Sequence, residues 1–74
     1  MSDPLQQLRE ADPEISAALD QVIESYLGKQ ISREEYEYLL TELRDVQAAQ
    51  KLANNENVMR LVVAAVSLAA TAVG

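Results

Sequence analysis

Cysteine and histidine are both missing from this chain. Without cysteine there is no disulfide framework and no thiolate zinc site, and without histidine the commonest general base and metal ligand is gone. Tryptophan and phenylalanine are absent too, and three tyrosines are the whole aromatic complement, so no broad stacking platform exists. Two glycines cannot build a phosphate-cradling loop, since Gly28 stands alone and Gly74 comes last. Basic residues number only six against twelve acidic ones, a net charge of −6 that opposes binding to nucleic acid or to an anionic membrane face. Ser16, Ser25 and Ser67 have no base to activate them and no glycine-bracketed elbow around them. Glu35 and Glu42 can share a helix face, but no further ligand converges on them, and no acidic run surrounds a turning glycine as calcium would need. Neither a catalytic residue nor a metal nor a cofactor is expected.

What remains is a chain of 74 residues, room for one small domain. A fold of this size buries only roughly 60% of its unfolded surface and is marginal on its own. Its apolar content is unevenly placed. Every acidic side chain lies within residues 1–57, whereas residues 58–74 hold a single charge, Arg60. The sequence therefore divides into an acidic helical hairpin region, 1–57, and an apolar C-terminal helix, 58–74.

Helix starts are written plainly. Asp3-Pro4 and Asp12-Pro13 each place a capping carboxylate before a proline at the first helical position. The first helix is short, from Pro4 to about Glu10, because Pro13 disfavours helical geometry at Asp12. From Pro13 to Leu27, residues Ile15, Ala18, Leu19, Val22, Ile23, Tyr26 and Leu27 form one apolar stripe at period 3.6. Gly28 is expected to supply a left-handed residue that ends this helix. Ser32 and Glu35 then form a capping box, with Ile31 and Tyr36 as its hydrophobic staple. The third helix carries Tyr36, Leu39, Leu40, Leu43 and Val46, then Ala49, Leu52 and Ala53, as its seam. Only four residues separate the second and third stripes, which predicts an antiparallel hairpin. Its core is Ile15, Leu19, Val22, Ile23, Tyr26, Tyr36, Leu39, Leu40, Leu43 and Val46, with Tyr38 off the stripe and exposed. Glu34, Glu35, Glu37, Glu42 and Asp45 read as a solvated face.

Two features stay open at the C-terminal end. At Asn54–Asn57 the helix either breaks or continues with another face buried, and the lack of glycine or proline there leans toward continuity. From Leu61 to Val73 no polar face exists, so this helix must be sheltered by other helices or by lipid. Residues 58–73 would span about 24 Å as a helix, short of a typical hydrocarbon core of about 30 Å. Small residues at four-residue spacing, Ala65 with Ala69 and Ser67 with Thr71, favour close helix packing. The expected burying residues are Leu61, Val62, Ala65, Val66, Leu68, Ala69 and Val73. Arg60 either pairs with Glu56 one turn earlier or forms an ion pair between subunits.

The string Gly28-Lys29-Gln30-Ile31-Ser32-Arg33-Glu34-Glu35-Tyr36 resembles the helical hairpins of many small bacterial and phage proteins. Chain length and layout are also similar to the needle subunits of type III secretion, which end in a polar helix where this chain ends in an apolar one. The fold expected is all-α, with a short N-terminal helix, a hairpin and an apolar terminal helix joining an oligomeric bundle. Three functional readings follow. The leading one is a non-catalytic assembly protein, such as a small virion component, whose partners are copies of itself or a larger complex. The others are a tail-anchored membrane protein and an acidic adaptor or inhibitor that occupies a basic partner. Nucleic acid is not an expected partner, and the setting is intracellular or virion-associated rather than secreted.

Overall fold

The computed structural model describes residues 3–72, with the side chain of Ala72 excepted. Its elements are α1 (Pro4–Ala11), α2 (Pro13–Leu27), α3 (Arg33–Glu42), a π-helical stretch (Leu43–Ala48), α4 (Ala49–Lys51) and α5 (Glu56–Ala72). The described residues are all helix and connections, with no strand.

Each helix start obeys its local chemistry. The Gln6 N–H donates to Asp3 Oδ1 at 2.8 Å, the Ile15 N–H to Asp12 Oδ1 at 3.3 Å and the Glu35 N–H to Ser32 Oγ at 3.2 Å. These side chains take up first-turn donors that have no partner inside the helix. The end of α2 departs from expectation. Gly28 sits at φ −81°, and Lys29 takes the left-handed conformation at φ 61°. Around it the Lys29 N–H donates to Tyr26 O at 3.0 Å and the Gln30 N–H to Ser25 O at 2.9 Å, the paired bonds of a Schellman ending. Gly28 serves through its size instead: a Cβ there would lie 3.2 Å from Glu24 O.

The third helical rod changes period midway. Inward positions run Tyr36, Leu40, Leu43, then Ala48 and Leu52, all buried. The interval of five residues from Leu43 to Ala48 belongs to the π-helical stretch, where i→i+5 bonding adds a residue per turn. Val46, expected in the core at i+3 from Leu43, is rotated out and stands 46% exposed. Ala53, at the end of the expected seam, is exposed as well.

The rod then stops, against the lean toward a continuous helix. Leu52 leaves helical geometry at φ −112°, ψ 27°, and Asn55 restarts the chain by accepting the Val58 N–H on its Oδ1 at 3.2 Å. Asparagine's capping chemistry outweighs the lack of glycine or proline. The break lets α5 turn back over the other helices, with its most extensive packing against α1. One contiguous core results, joining Leu8 of α1, Ile15 and Leu19 of α2, Tyr36, Leu40 and Leu43, and Val62, Ala65, Val66 and Ala69 of α5. A Cα radius of gyration of 11.5 Å matches the value of about 11 Å for one compact domain of this length.

Candidate interaction surfaces

The residues expected to bury the terminal helix divide by face. Val62, Ala65, Val66 and Ala69 are buried in the chain's own core, Leu61 and Leu68 are half-buried, and Val73 lies outside the described residues. Ala65 and Ala69, four residues apart, present small side chains to that core, where close helix approach needs them. Ser67 and Thr71 face solvent instead, and the Thr71 hydroxyl donates back to Ser67 O at 2.9 Å within α5. Of the expected hairpin core, Ile15, Leu19, Tyr36, Leu40 and Leu43 are buried. Val22, Ile23 and Tyr26 are half-buried against the core, Leu39 is half-buried, and Val46 is exposed.

Two polar arrangements hold the helices in place. At the corner between α1 and α2, Asp12 is buried, caps α2 and accepts a hydrogen bond from Lys51 Nζ at 3.1 Å. Lys51 also donates to Glu14, so the end of α4 is clasped to the start of α2. Burial works to raise the Asp12 carboxyl, but the Lys51 hydrogen bond, the Ile15 N–H and the Lys51 charge together outweigh it and hold the group below the usual carboxylate range. The Glu14 and Asp12 carboxylates in turn raise the Lys51 ammonium.

The second arrangement closes the far end of α5. The Tyr36 hydroxyl donates to Ala69 O at 2.8 Å, and Arg33 Nη2 donates to Ala70 O. A guanidinium is well matched to carbonyls at a helix C-terminus, where the macrodipole is negative. Tyr26 stacks on Tyr36 with centroids 4.2 Å apart, and the Arg33 guanidinium lies 5.6 and 5.5 Å from the two ring centres. Burial pushes the Tyr36 hydroxyl above its ordinary value, against the opposing pull of Arg33. The sequence reading found both tyrosines but missed the role of Arg33, whose partner lies far along the chain.

Among the openings on the surface, two lie each along a single helical rod. One lies along α3 and the π-helical stretch, lined by Glu37, Tyr38, Thr41, Glu42, Asp45 and Val46. Tyr38 is 57% exposed there, as its off-stripe position implies. The Glu42 carboxylate beside its hydroxyl raises the phenol. The other opening lies on the outer side of α5, lined by Glu56, Met59, Arg60, Val63 and Ala64, with Val63 43% exposed. Glu56 and Arg60 are both exposed, and the expected ion pair between them is not formed. Among the described residues Arg60 pairs with no carboxylate.

No group of three metal-ligating side chains occurs among the described residues, and no described helix is long and apolar enough to cross a membrane. No family model, curated protein or solved structure matches the chain.

Proposed function

We propose that this protein is a non-catalytic assembly subunit that associates with copies of itself through the outer side of α5. The observation that carries this reading is the opening at Met59, Val63 and Ala64, flanked one turn apart by an exposed carboxylate, Glu56, and an exposed cation, Arg60. A two-fold axis across this face sets Glu56 of each copy against Arg60 of the other, a self-complementary pattern with no net charge to repel. The inner side of α5 is already occupied by the chain's own core, so only the outer side is free to serve. The short connection from α2 to α3 and the stacked Tyr26 and Tyr36 support reading those helices as an antiparallel hairpin within each subunit. A place in a larger particle, of the kind a small virion component holds, belongs to the same reading.

Light scattering after size exclusion tests it. The full chain is expected to elute as a dimer or larger species whose mass falls to one subunit in Arg60→Glu and in Val63→Glu. Adding Glu56→Arg to Arg60→Glu restores the charge pattern and is expected to restore the mass. A single-subunit mass for the unaltered chain at every concentration would overturn the proposal.

A further inference from the structure

From the acidic opening we infer that the groove between Tyr38 and Val46 is a docking site for a basic amphipathic helix of another protein. This goes beyond self-association through α5 and uses a different face. Tyr38 and Val46 are two of the most exposed large apolar side chains among the described residues, and they open into the same groove. The π-helical stretch Leu43–Ala48 makes this juxtaposition. In a regular α-helix Val46 would follow Leu43 inward; the wider turn carries it outward to the side of Tyr38, with Asp45 beside it. Short π-helical segments are rare and recur at functional sites.

Charge selects the occupant. Three carboxylates, Glu37, Glu42 and Asp45, line the groove, and no cation is among its lining residues. Arg33 reaches Glu37 at 3.6 Å and Arg44 forks onto Asp45 at 2.8 and 3.1 Å, but both carboxylates stay more than half exposed, at 57% and 54%, and keep oxygen surface open to a partner's lysines or arginines. Two copies of this face would set carboxylate against carboxylate, which opposes self-pairing here. From Tyr38 to Val46 the rod advances about 12 Å, two turns, the length over which a partner helix presents apolar anchors at i, i+3 or i+4, and i+7.

The test uses the full chain, isotope-labelled, titrated with a synthetic 18-residue amphipathic helix of leucine and lysine. Amide shifts are expected to centre on residues 37–46, and Tyr38→Ala is expected to weaken binding about tenfold or more, as loss of an aromatic anchor does. Because Tyr38 is exposed, its removal should leave the circular-dichroism melt unchanged. Glu24→Gln, which removes one charge away from the groove, should change affinity less than twofold. Absence of binding would overturn the inference. So would equal affinity in Tyr38→Ala with shifts spread over the acidic surface, the pattern of unspecific charge attraction. Val63→Glu leaves this groove intact, so loss of self-association and loss of peptide binding are read separately.

Discussion

The two sides of α5 differ both in their side chains and in their surroundings. Val62, Ala65, Val66 and Ala69 are buried against α1 and the other helices, while Val63 stands in water one residue from Val62. Composition marks residues 61–73 as apolar; the return of the chain at Asn55 makes one side an interior and leaves Glu56, Arg60, Val63, Ser67 and Thr71 outside. With Ser67 and Thr71 beside Arg60 on its exposed stripe, α5 need not be sheltered all round. Its own subunit covers one side, and the remaining side becomes the surface offered to a neighbour.

The largest effect is expected from breaking that contrast at adjacent positions. Val62→Glu places a carboxylate at a fully buried site, with no cation among the core residues that surround it. An unpaired buried charge destabilises by about 3 kcal/mol or more. A domain of this length has a total stability on the order of 4–11 kcal/mol, so much of its fold is at stake. Val63→Glu puts the same carboxylate into water, and its melting temperature should stay close to that of the unaltered chain when both are compared dilute enough to be single subunits. Thermal melts by circular dichroism check both. Equal melting temperatures for the two variants would mean that α5 is not anchored by the face described.

Much of this arrangement could be read from local signals. Asp3, Asp12 and Ser32 announce helix starts because a cap and its partner lie within three residues, and the structure forms all three. The α2 stripe is legible because one unbroken period runs from Ile15 to Tyr26. The π-helical stretch leaves no such trace: Leu43, Val46 and Ala49 fit period 3.6 on paper, and only packing of Ala48 and Leu52 into the core selects the wider turn. The acidic groove was illegible for the same reason, since Val46 counts as core until the period changes. The link from Arg33 to Ala70 and the clasp from Lys51 to Asp12 join residues 37 and 39 positions apart. No local pattern carries such a pair. At Asn54–Asn57 the sequence held both outcomes, because asparagine caps a new helix as readily as it closes an old one.

A middle-sized effect sharpens the comparison at the corner between α1 and α2. Asp12 holds α1, α2 and α4 together through its cap and Lys51, so Asp12→Ala should destabilise by about 1 kcal/mol from the cap alone. Asp12→Asn keeps a capping oxygen and loses the charge. Because the folded carboxyl lies below its unfolded value, its contribution is present above about pH 4 and fades as pH falls through the folded value. The unaltered chain should therefore lose stability on acidification more steeply than Asp12→Asn, measured as the urea midpoint between pH 6 and pH 2. Parallel curves for the two proteins would show that Lys51 contributes nothing through Asp12.

The smallest effect has the opposite sign and lies in the turn between α2 and α3. Lys29 occupies a left-handed conformation at φ 61° that a side chain with a β-carbon resists by roughly 1–2 kcal/mol. Lys29→Gly removes that resistance, although glycine also gains freedom in the unfolded chain, which offsets part of the benefit. The net expectation is a gain of about 0.5–1 kcal/mol, seen as a higher urea midpoint with an unchanged slope. Gly28→Ala is the matched control: at φ −81° alanine meets no left-handed strain, and with its β-carbon 3.2 Å from Glu24 O the midpoint should move little. A loss of roughly 1–2 kcal/mol in Gly28→Ala with no gain in Lys29→Gly would instead make Gly28 the left-handed residue, as the bare sequence suggests, and the Schellman bonds from Lys29 and Gln30 would have to be redrawn.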